Sequence, residues 1–176
     1  IKQLWDPENI FNPGKIVDAP PMDVDLRYAE NQPDVRVKTF LDFSENEGIL
    51  RAAEKCNGSG DCRKLPEMGA TMCPSYQATR NEKDTTRARA NALRNILTEK
   101  GAEKPFDSQE LKEVLDLCLS CKGCKRECPS NVDMAAMKAE FTYQYNKTHG
   151  VPLRSKLFGH FHRHKEVFPI RLYNSS

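Results

Sequence analysis

CLSCKGCKRECP, residues 118–129, decides how the chain is read. Its spacing, C-x2-C-x2-C-x3-C-P, is a ligand run for protein-bound iron–sulfur clusters. Three thiolates at i, i+3 and i+6 on a tight turn can converge on three corners of one cubane. The proline behind the fourth cysteine redirects the chain, so that Cys128 points toward a second cluster. A zinc site and a redox-active dithiol are the competing readings. Zinc sites typically pair two short cysteine arms far apart in sequence, whereas here four cysteines fall within eleven residues, 118–128.

The other three of the seven cysteines look irregular until laid over the same template. In CNGSGDC, residues 56–62, Cys56 and Cys62 occupy the first and third positions of C-x2-C-x2-C, and Ser59 stands at the second. Cys73-Pro74 then supplies the Cys-Pro element after a lengthened gap. In two-cluster ferredoxins the Cys-Pro cysteine of each motif ligates the other motif's cluster. That crossover assigns Cys118, Cys121, Cys124 and Cys73 to a complete [4Fe–4S] site. It leaves Cys56, Cys62 and Cys128 as a site with three thiolates. Such a site can lose one iron and become [3Fe–4S]. It can complete a [4Fe–4S] cluster with an oxygen from Ser59, Asp61 or water, or it can stand empty. A neutral hydroxyl is a poor match for thiolate-bound iron, which argues for three irons. Ser59 also has a plain reading as a turn residue within Asn57-Gly58-Ser59-Gly60.

Composition agrees with a metal-stapled domain. The apolar fraction is 38% and the mean hydropathy −0.70, lean for a chain of 176 residues that must build its own core. Coordinated metal can supply the missing stability. No run of roughly 18 apolar residues marks a membrane span, and nothing at the start resembles a secretory signal. A formal charge of +2 gives no ground for a nucleic-acid partner. Thiolates held by metal suit a reducing cytoplasm, with the periphery of the inner membrane as the alternative location. The chain opens on Ile1 and reads as a piece of something longer.

Local signals predict an all-α fold. Asp6-Pro7 and Asn12-Pro13-Gly14 punctuate residues 1–17, and Pro20, Pro21 and Pro33 mark 18–38 as an extended linker. Ser44 and Glu47 read as a capping box opening a helix to Lys55. A second helix is expected from Thr85 to Lys100, capped by Asp84 or Thr85 and ended by Gly101. A third begins near Asp107, with Glu110 closing another capping box. A fourth covers Asp133 to Lys147, with Ala136, Met137, Phe141 and Tyr145 at helical spacing, and a last follows Pro152. Residues 39–150 form the cysteine-bearing domain and 151–176 a C-terminal helix.

Lys55, Arg63 and Lys64 flank the first cysteine group, and Lys122, Lys125 and Arg126 lie in the second. They read either as cations stabilising a reduced cluster or as solvated surface. Arg80, Arg87, Arg89 and Arg94 read as helix surface, with Arg87 and Arg94 on one face as a docking patch. His160, His162 and His164, with His149 nearby, alternate faces of a helix and so make a poor joint metal site. Leu153, Leu157, Phe161 and Phe168 with Arg154, Arg163 and Lys165 make a basic amphipathic segment. It would lie on a membrane surface or pack on a neighbouring domain.

WDPENIFNPGKI (5–16) resembles the closing segment of the C-terminal domain of FAD-linked oxidases. CNGSGDCRK (56–64), MCPSYQATRNEKDTTRARANALR (72–94) and CLSCKGCKRECPSNVDMAAMKAEF (118–141) resemble the iron–sulfur region behind the flavin domain in large FAD-linked dehydrogenases of D-2-hydroxyacids, of the D-lactate, glycolate and 2-hydroxyglutarate type. The resemblance covers residues 1–17 and 39–160. It implies an α-helical ferredoxin-like fold, as in succinate dehydrogenase iron–sulfur subunits. It also implies electron flow from reduced flavin, in an upstream domain, through the clusters to a quinone or another carrier, and a cysteine-rich domain downstream. Flavin- and substrate-binding motifs are absent from these residues, so no turnover of a hydroxyacid is expected from them alone. A structural or sensory metal module, holding zinc or one cluster, is the alternative.

Overall fold

The chain folds as helices and turns, and the described residues contain no strand. The computed structural model describes residues 1–24, 26, 36–99 and 104–160. The chain divides into two compact units, Ile1–Asp34 and Val35–Ser176. In the first, a four-residue helix α1 (Lys2–Trp5) leads into Asp6, whose carboxylate accepts the N–H groups of Ile10 and Phe11 at 2.9 Å each. Lys2 pairs with the same carboxylate. Asp6-Pro7 is thus a turn closed by its own aspartate.

The second unit carries α2 (Ile49–Glu54), α3 (Pro74–Thr79), α4 (Thr86–Thr98), α5 (Gln109–Asp116), α6 (Gly123–Glu127), α7 (Met134–His149) and α8 (Leu153–Gly159). Helix α4 is central and packs on α2, α5 and α7. Its buried stripe, Thr86, Arg89, Ala90, Leu93 and Leu97, follows the helical period. Leu111 and Leu115 of α5, Ile49 and Ala53 of α2, and Met134, Met137 and Phe141 of α7 close the core around it.

Helix starts follow cap chemistry. Thr85 accepts from the Ala88 N–H at 3.0 Å to open α4, and Asp133 accepts from Ala136 at 3.0 Å to open α7. Two expectations shift. Ser108, not Asp107, caps α5, accepting from Leu111 at 3.1 Å, while Asp107 instead pairs with His149. No capping box forms at Ser44: Ser44–Asn46 is a 3-10 turn, and Gly48 at φ +117° redirects the chain into α2. That conformation suits glycine alone, and it separates Ser44 from the helix it was expected to start. Lys100 and Gly101 lie outside the described residues, as do Phe161, His162, Arg163, His164, Lys165 and Phe168. Helix α8 exposes Leu153, Leu157 and Phe158. No described helix is long and apolar enough to cross a membrane.

A buried carboxylate joins residues 36–41 to the bundle. Glu140 on α7 is fully buried and accepts the N–H groups of Phe40 at 3.0 Å and Leu41 at 2.9 Å, plus the Gln144 amide at 2.7 Å. Removing it would strand these donors, at about 1–3 kcal/mol for each one left buried. Glu140→Ala is expected to lower unfolding free energy by about 2–4 kcal/mol in chemical denaturation. A change within about 0.5 kcal/mol would show that water replaces the carboxylate without cost.

Candidate metal centre

Seven cysteines are unpaired by disulfides, and their placement follows from three pieces of local backbone. Cys73 adopts φ +55° as the N-cap of α3, with Pro74 fixing the first helical residue. Ser120 at φ +53° and Lys122 at φ +61° curl the Cys118–Cys124 loop. Left-handed residues are uncommon outside glycine, and turns that mix them with right-handed ones aim successive N–H groups into an anion-binding concavity. Short helix α6 follows, and its Glu127 reaches back across the fold. The Glu127 carboxylate accepts the N–H groups of Thr71 at 3.0 Å and Met72 at 2.9 Å, and it also bonds the Thr71 hydroxyl. The Thr71 hydrogen bond holds the Glu127 carboxyl below its usual range. This clamp fastens the residues before Cys73 to the second cysteine loop.

The result is one concavity lined by Cys73, Cys118, Cys121 and Cys124 together with Thr86 and Arg89. Cys73 and Cys124 are buried, Cys118 half-buried and Cys121 exposed. No three described His, Cys, Asp or Glu side chains converge tightly enough to hold a single metal ion; the four thiols are spread around the concavity.

Helix N-termini face the thiols. The Thr86 N–H donates to the Cys73 sulfur at 3.0 Å, and the Thr86 hydroxyl lies 2.9 Å from it. Burial pushes the Cys73 thiol up to about 11, against the opposing Thr86 hydrogen bonds. Burial likewise raises Cys124, opposed by the N–H groups of Met134 and Ala135 at the start of α7. It raises Cys62 too, opposed by the Arg87 N–H at the start of α4. These donors lower the cost of negative charge on sulfur where burial raises it. A thiolate-ligated cluster is anionic, so the donor set, the loop and the concavity fit such a group.

The remaining candidates are placed less completely. Cys56 and Cys62 are buried and interact electrostatically. Cys62 also raises Cys73, so the two groups are neighbours. Cys128 is half-buried at the end of α6 and does not line the concavity of the other four. Ser59 is exposed; its N–H donates to the Asn57 side chain at 3.0 Å, and its hydroxyl bonds Asp61. Lys64 pairs with Asp61 at 2.7 Å, Arg63 with Glu82 at 3.4 Å and Lys125 with Asp133 at 3.2 Å. Arg87 grips the first cysteine loop, donating to the Gly58 carbonyl at 3.2 Å. Arg89 corrects the reading of these arginines as helix surface: it is buried, at 2% exposure. Sequence reasoning also passed over Lys138, whose Nζ donates to the Cys118 carbonyl at 2.6 Å. His149 stacks on Tyr145 with centroids 4.2 Å apart, and His160 bonds the carbonyl of Lys156 at 2.8 Å.

Residues 55–133 match the family described as 4Fe-4S dicluster domain. The chain is 29% identical over 194 residues to D-2-hydroxyglutarate dehydrogenase of Pantoea ananatis, a match covering 89% of this chain and 18% of that protein. It is 28% identical over 199 residues to the Escherichia coli protein of the same name, covering 89% and 19% respectively. To the glycolate oxidase iron-sulfur subunit of Escherichia coli it is 35% identical over 88 residues, 50% of this chain and 18% of that one. The chain thus spans about a fifth of the length of these relatives. No solved structure matches it significantly. Helix N-termini, left-handed turns and cysteines meet within residues 55–133, the span that matches the 4Fe-4S dicluster domain family, and the chain is similar to part of these dehydrogenases and of the glycolate oxidase iron–sulfur subunit.

Proposed function

We propose that this chain relays electrons within a longer FAD-linked dehydrogenase of 2-hydroxyacids, taking them from reduced flavin in an upstream domain. The observation that carries the reading is the gathering of Cys73 with Cys118, Cys121 and Cys124 around one concavity. These four would hold a [4Fe–4S] cluster, and Cys56, Cys62 and Cys128 a second one with three thiolates. When bound, such clusters accept and donate single electrons.

The chain's own residues do the rest. Thr86, Met134 and Ala135 aim donors at buried sulfur and offset the charge that accumulates there. Burial of Cys73 and Cys124 shields that side from water, while exposed Cys121 leaves a short approach for a carrier. Under this reading residues 1–17 end the FAD-linked oxidase domain, 18–38 link it to the cluster domain at 39–150, and 151–176 lead to a cysteine-rich domain. The acceptor is a quinone or another carrier, and the setting is cytoplasmic or at the inner-membrane surface. The dicluster match does not favour a zinc module.

Iron, acid-labile sulfide and EPR on anaerobically prepared protein test this reading. Brown protein reducible by dithionite is expected; colourless protein with zinc and no sulfide would refute it. Ser59→Cys adds the missing thiolate. It is expected to bring iron to about eight per chain and to erase any oxidised-state signal of a three-iron cluster. Unchanged iron would mean that the first cysteine group does not follow the template, and that the Asx turn is all Ser59 contributes.

A further inference from the structure

Among the described residues Arg89 is the one buried cation. Burying a guanidinium is costly unless its charge is matched, and its protein partners match it poorly. Nη1 donates to the Asp84 carbonyl at 2.6 Å and Nε to the Val114 carbonyl at 3.1 Å. Only one carboxylate oxygen is near, Asp84 Oδ1, at 3.5 Å from Nη2. That carboxylate's other oxygen accepts the Thr79 hydroxyl at 2.6 Å, which holds it away from a bidentate pairing. Arg89 also lines the concavity with Cys73, Cys118, Cys121 and Cys124, and its charge acts on the Cys73 thiol.

We infer that Arg89 is the resident counter-cation of the cluster in this concavity, raising its reduction potential, with Asp84 as the opposing charge that trims the effect. The inference rests on the ligand reading above and concerns a pair to which that reading assigns nothing. Reduction adds one negative charge to a centre that is already anionic, so a buried cation stabilises the reduced form more than the oxidised form. The other cations nearby act less. Lys122, Lys125 and Arg126 are exposed and screened by solvent and salt. Lys138 is half-buried and donates to the carbonyls of Cys118 and Asp116.

Arg89 also ties α4 to α5, through Val114. A purely structural role makes Arg89 and Asp84 variants less stable but gives their potentials no opposite signs. The test is an EPR-monitored redox titration of the anaerobically reconstituted chain as wild type, Arg89→Gln, Arg89→Lys and Asp84→Asn. Arg89→Gln is expected to weaken one-electron reduction about tenfold, a fall of about 59 mV. Asp84→Asn is expected to move the potential upward by a comparable factor, and Arg89→Lys to stay near wild type. Both shifts persist at high salt, because the pair is buried. Loaded variants whose potentials do not move, or move in the same direction, overturn the proposal. If Arg89→Gln does not fold, Asp84→Asn decides: a potential that fails to rise refutes it. Wild-type chain that binds no iron and sulfide overturns the ligand reading and this proposal together. Loaded wild type with unmoved variants overturns only the role of Arg89.

Discussion

Cys73→Ala is expected to remove the cluster of the second cysteine group, although Cys73 belongs by sequence to the first. Iron should fall by about four per chain, with loss of the same EPR signal that Cys121→Ala removes. Cys128→Ala should instead remove the signal anchored at Cys56 and Cys62. The expectation rests on Cys73 sharing a concavity with Cys118, Cys121 and Cys124, and on the Glu127 clamp that fastens Thr71 and Met72 to α6. The competing outcome has a physical basis too, because Cys62 is close enough to Cys73 to shift it. Should Cys73→Ala and Cys56→Ala abolish one and the same signal, each motif would ligate its own cluster and the crossover would be wrong. The substitution also removes a buried sulfur that accepts the Thr86 N–H. Intact signal from the other cluster is therefore the control that distinguishes ligand loss from unfolding.

What could be read from sequence was local. Ligand spacing in residues 118–128 is set by the chain itself, so the iron–sulfur reading needs no tertiary knowledge. Thr85 was legible as a cap because a side chain bonding three residues ahead leaves its mark in adjacent letters. Helices α3 and α6 were not legible, since five or six residues are too few to show a period. Ser44 and Glu47 have the letters of a capping box, but Gly48 takes a conformation that breaks it, and a pattern of residue types carries no dihedral. Arg89 was lost for another reason. TRARANALR places arginines around the helix, and only the packing of α2, α5 and α7 decides which of them is buried. Glu127 with Thr71 and Glu140 with Phe40 are long-range pairs, and neither partner's position predicts the other. Spacing alone likewise offers Cys73 to either cluster.

Stripping iron and sulfide is expected to destabilise the cysteine-bearing unit far more than any single substitution outside the ligands. Cys56, Cys62, Cys73 and Cys124 are members of the hydrophobic core, beside Met72, Met134 and Leu93. Ligation would therefore cross-link the centre of the core rather than decorate its edge. Without it, residues 118–124 keep left-handed turns at Ser120 and Lys122, each at a cost on the order of 1–3 kcal/mol that only surrounding structure repays. Structural metal commonly supplies folding free energy outright, on the order of 10 kcal/mol in small zinc domains. A loss of about 3 kcal/mol, at about 2–4 °C per kcal/mol for a unit of this size, lowers the melting temperature by roughly 6–12 °C. Thermal denaturation followed by helical circular dichroism, on anaerobic protein before and after chelation, reads this directly. Coincident transitions for the loaded and stripped chains would mean that α4 and its neighbours hold the core by apolar packing alone. The clusters would then be cargo of a finished fold rather than part of it.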